Sequence, residues 1–336
     1  MKISDEHIAR LGALGYTADE ARFLYIVATF SGYFVPRQFI RFVDAKPGKR
    51  SDHFITKLES RGHATWREHL GAGGVYHLFS KTLYRAIDKD DLRNRRRHSS
   101  DFIRARLVLL DFVLTNPAYN YLETENDRIA YFCNTLGVPK SALPAKAFSG
   151  PHGLGPRLHF FVDKFPVFLD ESGDPSARPV TLCYVDAGDS NTTRFAHHLR
   201  TYQQLLASLT YFRFLYLSNS AVNFPAAERT FAAFATRALR DDPSAEMIRY
   251  FTLRDRWDTK QYGGFSPDDL EWLNDANGRF RGPDTELLYA QWRSGELTGA
   301  SLATKLAGTR RTPSFRFGVW LVSHGQLAAN ELERTG

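Results

Sequence analysis

Cysteine is almost absent from this chain of 336 residues: there are two, Cys133 and Cys183, each inside an apolar stretch. Thiols so placed read as reduced core residues, which excludes a disulfide framework and a zinc site. Long hydrophobic runs are also missing. No apolar stretch reaches the roughly eighteen residues a membrane span needs, so no membrane partner is expected. The opening Met1-Lys2-Ile3-Ser4-Asp5-Glu6 does not read as a signal peptide, and the expected location is cytoplasmic. Internal repeats and low-complexity tails are lacking. So are a Walker loop, a dinucleotide fingerprint in its strand-to-helix context and a Ser/His/Asp ordering, which leaves no cofactor implied. What remains is ample core material, 43% hydrophobic and 14% aromatic. That composition argues against global disorder, and the length suggests two or three domains.

Positive charge is in excess in one place only. Residues 1–97 hold eighteen Lys and Arg against eleven Asp and Glu, while the rest of the chain carries twenty-six of each. The whole net charge of +7 therefore sits in the N-terminal segment. A polyanion-binding surface produces this asymmetry, because each neutralised phosphate releases a condensed counterion. A merely soluble basic domain is the competing explanation.

Pattern narrows the choice. Thr17-Ala18-Asp19-Glu20 spells a capping box that opens a helix running to about Phe30. A short helix is expected over Pro36 to Val43, with proline in its first turn. After the Ala45-Lys46-Pro47-Gly48 turn, a third helix covers Lys49 to Ser60. On a helical wheel Phe54, Ile55 and Leu58 share one side. Lys49, His53, Thr56 and Ser60 lie opposite, flanked by Arg50, Lys57 and Asp52. An apolar stripe seats the helix, and the cations and small hydrogen-bonding groups suit the major groove. Two β-prone runs, His63 to Leu70 and Val75 to Phe79, flank Gly71-Ala72-Gly73-Gly74 and predict a hairpin. Helix, helix, helix, hairpin resembles a winged helix. In that family the hairpin is a wing, which would bring Arg67, His69 or His77 near phosphates or the minor groove. A winged helix used for protein contacts is the rival reading.

Lys81 to Ile87 predicts a helix running into Arg93-Asn94-Arg95-Arg96-Arg97, a run that serves either DNA phosphates or solvent. Ser100 to Leu114 is a helix apolar nearly all round at its end, so it must be buried between domains or against a second subunit. Beyond it the pattern is mixed: a helix over Thr124 to Leu136, strands over Leu158 to Leu169 and Val180 to Val185, a helix over Thr192 to Leu209, a strand over Phe212 to Leu217 and a helix over Phe224 to Leu239. Residues 241–336 read as mostly helical, with Phe315 to Val322 available to return as a strand. Trp257, Trp272, Trp292 and Trp320 are expected in cores, since no basic residues interleave with them.

Tyr184-Val185-Asp186-Ala187-Gly188-Asp189-Ser190, followed by Phe195-Ala196-His197-His198-Leu199-Arg200-Thr201-Tyr202, resembles part of the replication-relaxation family. That resemblance implies a winged helix joined to a domain similar to the PD-(D/E)XK nucleases. Cleavage by such a domain needs two close carboxylates and usually a lysine. Asp163 or Asp170 would be the first carboxylate and Asp186 a second. The lysine position then falls on Gly188, or on Asp186 if Tyr184 takes the acidic place, so either alignment breaks the set. His197 and His198 are adjacent and point to different helix faces, which argues against a shared metal.

The sequence therefore predicts a mixed α+β chain in four parts: a winged helix over 1–97, a linker or dimerisation helix over 98–118, a small α/β domain over 119–240 and a helical region over 241–336. The expected function is a transcriptional regulator that binds double-stranded DNA as a homodimer, without cofactor or metal, through Lys49, Arg50, His53, Thr56, Lys57, Ser60, Arg67, His69 and His77. Its α/β part would dimerise or sense rather than catalyse. The alternative is a metal-dependent nuclease using Asp163, Asp170 and Asp186, or an accessory protein of plasmid or mobile-element replication or mobilisation.

Overall fold

The computed structural model describes residues 1, 3–44, 46, 48–69, 73–148, 157–170, 179–188, 192–238, 243–280, 282–307, 313–322 and 328–330. The chain is a mixed α+β protein. Among the described residues no helix is long and apolar enough to cross a membrane.

Local chemistry starts the N-terminal helices. In α1 (Asp5–Ala13) the Ser4 hydroxyl accepts the His7 amide. In α2 (Ala18–Phe30) the Glu20 amide donates to the Thr17 hydroxyl at 3.4 Å and the Thr17 amide to the Glu20 carboxylate at 2.8 Å. This is the expected reciprocal cap, and it satisfies two amides that the helix leaves unpaired. There follow β1 (Tyr33–Phe34), α3 (Pro36–Phe42), α4 (Lys49–Ser60), β2 (Ala64–His69) and β3 (Gly73–Leu78). The three strands form an antiparallel sheet in the order β1-β3-β2. Next come α5 (Lys81–Ala86), a 3-10 turn at Arg93–Arg95 and α6 (Ser100–Thr115).

The second half opens with β4 (Asn120–Tyr121), then α7 (Glu125–Ile129), which continues as a π-helical stretch over Ala130–Thr135. β5 (Ala145–Phe148) and β6 (Arg157–Phe160) make a separate hairpin. β7 (Val167–Leu169), β8 (Val180–Asp186), α8 (Thr192–Ser208), β9 (Tyr211–Ser218) and α9 (Phe224–Ala238) follow. Four helices come next: α10 (Pro243–Asp258), α11 (Pro267–Phe280), α12 (Pro283–Arg293) and α13 (Gly299–Ala307). The chain then returns as β10 (Ser314–Leu321) and β11 (Ala328–Asn330). The main sheet has the order β11-β10-β9-β8-β7-β4, with β8, β9 and β10 mutually parallel.

Alternation along the parallel strands builds two cores. Leu182, Tyr184, Phe212, Phe214 and Tyr216 face Phe195, Leu199 and Leu205 of α8 and Phe231 of α9. Cys183, Val185, Leu215 and Leu217 face the other way, toward Leu109, Leu110 and Val113 of α6. Both crossovers advance in one direction along the sheet, which puts α8 and α9 on one side. Burial on both faces explains the unbroken apolar runs of β8 and β9.

One pair of sequence alternatives is decided here, and two expectations change. The all-round apolar helix α6 is buried within this one chain: its other side packs with Leu24, Phe34 and Phe39 in the same core as the N-terminal helices. The strand expected over Leu158 to Leu169 is two strands, parted where Phe161 and Lys164 adopt left-handed backbone with φ of 51° and 55°. The region beyond 240 is not a separate helical part, because β10 pairs with β9 along its whole length. Helices α10–α13 are inserted between neighbouring strands of one sheet and carry their own core of Tyr250, Phe251, Leu273 and Leu302.

Candidate nucleic-acid interface

α4 has the two-sided character its sequence predicts. Phe54 and Leu58 are fully buried, and Phe54 stacks on Phe39 of α3 at 4.0 Å between ring centres. Ring edges from Phe23 at 5.9 Å and Tyr16 at 6.5 Å close the remaining sides. This anchor fixes the helix about its own axis. Lys49, Arg50, His53, Thr56 and Ser60 are consequently exposed. Lys49, His53, Thr56 and Ser60 recur at helical spacing and form one stripe. The Ser60 hydroxyl donates to the Lys57 carbonyl at 3.2 Å, so its oxygen remains an acceptor for a ligand.

The cations beside the stripe are engaged. Arg50 donates to the Asp19 carboxylate at 2.7 Å, and Lys57 donates to Glu20 at 2.6 Å. Both carboxylates belong to the first turn of α2, where the helix dipole favours negative charge. Together they line a polar cleft formed by Thr17, Ala18, Asp19, Glu20, Arg50, His53 and Lys57. Among the described residues Lys49 is the cation of α4 that has no carboxylate partner.

The hairpin divides its residues between two faces. Arg67 registers with Val75 and Thr65 with His77. Val75 packs with Tyr33, Val35, Ile103 and Leu107, so this face turns away from α4 and toward α6. Arg67 is half-buried there. His77 does not reach the surface at all. Its ring stacks on Tyr33 at 4.4 Å, and Nε2 donates to the Asn94 carbonyl at 3.4 Å. Burial, with Arg67, His98 and Arg97 nearby, pushes its pKa down to about 4, outweighing that carbonyl contact. His77 is thus an interior group, because α6 and the segment after α5 cover the sheet face it occupies. The backbone of His69 pairs with Gly73, and its side chain lies outside the described residues. Trp66, which sequence reasoning passed over, is 51% exposed on the opposite face. It lies across Gly74, where an added Cβ would collide with the indole nitrogen. An aromatic residue in a β-prone run reads as core, so only the fold reveals it as surface.

The three carboxylates proposed for cleavage separate. Asp163 accepts from His198 Nδ1 at 3.1 Å, Tyr202 Oη at 3.0 Å and the Phe165 amide at 3.2 Å. Burial raises its pKa, but the His198 contact and charge and Arg128 outweigh it and hold the carboxyl below its usual range. Asp186 is fully buried at the end of β8 and accepts from Tyr216 at 2.6 Å, Asn223 at 3.1 Å and the Gly188 amide at 3.0 Å. The Tyr184 ring lies between these two sets, 5.2 Å from His198 and 5.5 Å from Tyr216. Asp170 follows Leu169, which registers with Val180 at the opposite end of β8. A strand of that length spans about 20 Å, too far for Asp170 and Asp186 to share a metal. Among the described residues no three His, Cys, Asp or Glu gather at metal-binding spacing. His198 is buried and His197 exposed, in line with their adjacent places on α8. The chain matches no described protein family, no curated protein and no solved structure.

Proposed function

We propose that this chain is a transcriptional regulator that binds duplex DNA through residues 1–97, read as a winged helix with α4 as its recognition helix. The observation that carries the reading is the exposed stripe of Lys49, His53, Thr56 and Ser60, set opposite the buried Phe54 and Leu58. It sits in a unit where α2, α3 and α4 are followed by the β2–β3 hairpin, a helix, helix, helix, hairpin order that resembles a winged helix. A small polar stripe on a helix about 10–12 Å wide fits the major groove and can meet base edges with donors and acceptors. In this reading two copies place their α4 helices on half-sites about one helical turn apart, and the six-stranded sheet dimerises or senses.

The test is selection of bound duplexes from a random pool by the full chain, repeated with Lys49→Ala, His53→Ala and Thr56→Ala combined. Wild type should enrich one motif, and the triple variant should lose that preference. A wild type that enriches nothing, or a variant that enriches the same motif, refutes the reading.

A further inference from the structure

The cations that make residues 1–97 basic do not gather on α4. Arg93, Arg96 and Arg97 are exposed on the segment after α5, behind the wing sheet. That segment has a fixed backbone. Asn94 Nδ2 donates to the Ala28 and Thr29 carbonyls at the end of α2, at 3.0 and 2.9 Å. Tyr33 Oη donates to the Arg96 carbonyl and accepts the His98 amide, each at 3.1 Å. The arginines therefore project from a built surface and do not lie on a loose hinge.

The central region extends the strip. The Arg93 guanidinium lies over the Phe148 ring at 5.0 Å, and Lys146, exposed on β5, lies over the same ring at 5.8 Å. Lys164 sits half-buried behind them, its pKa pushed down to about 8 by burial and by Arg106, Arg128 and Arg93. Burial lowers His98 as well, with Arg106, Lys164 and Arg96 adding to it. At the other end Arg67 and Arg97 both act on Tyr33 and His77, which joins the wing to the same strip. The carboxylates near it are engaged elsewhere or lie at its margin: Asp91 acts on Lys164, Asp101 is taken up by Arg104 at 2.8 Å, and Glu125 lies 3.6 Å from His159, the cross-strand partner of Lys146. Among the described residues none of Arg67, Arg93, Arg96, Arg97, Lys146 and Lys164 makes an ion pair, whereas Arg50 and Lys57 of α4 both do. Unpaired positive charge crowded on one surface is relieved by a dense anionic partner, and exposed guanidinium groups match phosphate oxygens in geometry.

We infer that Arg67, Arg93, Arg96, Arg97 and Lys146 form a strip that holds the phosphodiester backbone of duplex DNA. The inference rests on the proposed function and deepens it: α4 supplies the base contacts, and this strip adds a second phosphate-binding surface on the side of the sheet that faces away from α4. Hydrogen-bonding side chains read sequence, whereas a row of cations binds any sequence.

The experiment is a salt titration of duplex binding by fluorescence anisotropy, with the full chain and a variant combining Arg93→Ala, Arg96→Ala, Arg97→Ala and Lys146→Ala. The slope of log affinity against log salt should flatten by about 0.9 for each phosphate no longer neutralised, hence by about 3 to 4, equally on every duplex sequence. Replacing the three arginines by lysine keeps the charge and should keep most of the slope. An unchanged slope in the alanine variant, a loss confined to single-stranded DNA, or an equal loss in the lysine variant overturns the inference while leaving the proposed function standing. A wild type that binds no duplex overturns both.

Discussion

Acid should loosen the three-stranded sheet through His77. The imidazole is 1% exposed and stacked on Tyr33. Its Nδ1 has no partner among the described residues, so a second proton would enter an apolar face beside Arg67 and Arg97. Burial first, and those charges second, hold its pKa at about 4, against 6.5 for the unperturbed side chain. Between these values the unfolded chain binds the proton and the folded chain does not. Stability therefore rises with pH across the window and is lost as pH falls from 6.5 toward 4. At about 1.4 kcal/mol per pH unit, the full loss approaches about 3 kcal/mol. His63 and His98 are also lowered by burial and add to the slope in the same direction. His77→Phe keeps a ring on Tyr33 and removes the titration, so it isolates one residue from the three. Urea denaturation across the window should show wild type losing about 3 kcal/mol more than the variant on acidification. Parallel losses in the two proteins would refute the assignment of His77 as a neutral interior group.

Phe54→Ala should cost about 3–5 kcal/mol, read by urea denaturation, because it empties the space between Phe39, Phe23 and Tyr16. Gly32→Ala should cost more than about 1–2 kcal/mol. Its backbone has φ of +79°, and the new Cβ would collide with the Asn94 carbonyl oxygen, a backbone atom that cannot turn aside. The thermal midpoint reports that loss, and a neutral outcome would contradict the fixed placement of the arginine segment. Asp19→Asn releases Arg50 from its 2.7 Å contact and should strengthen duplex binding, steepening the salt slope by up to about 0.9. Weaker binding would mean that the pair orients α4 and does not restrain it.

Local signals made the N-terminal third readable. The Thr17–Glu20 cap, the glycine cluster of the hairpin and the stripe of α4 each act within a few residues, and the observed helix Lys49–Ser60 agrees with the predicted bounds. Other features depend on partners far along the chain. β1 is two residues long and is a strand only because β3 pairs with it. The pairing of Ser314–Leu321 with Tyr211–Ser218 spans four inserted helices, and no periodicity encodes that choice of neighbour. The site followed the same division. The outward face of α4 follows from its spacing alone, but His77 depended on whether the second face of the hairpin is covered. α6 covers it, and a hairpin read in isolation leaves that face to water. Arg50 and Lys57 were legible as cations. Their carboxylate partners, on a different helix, were not.

The shared helix α6 makes the N-terminal unit and the main sheet mechanically inseparable. Arg106 in its middle donates to the Phe30 carbonyl at the end of α2 and to the Asp163 and Lys164 carbonyls beside β7. One guanidinium thus bolts together three stretches of backbone far apart in sequence. Cutting the chain ahead of α6 would strip the floor from one layer and the roof from the other, so the two should melt as a single cooperative block.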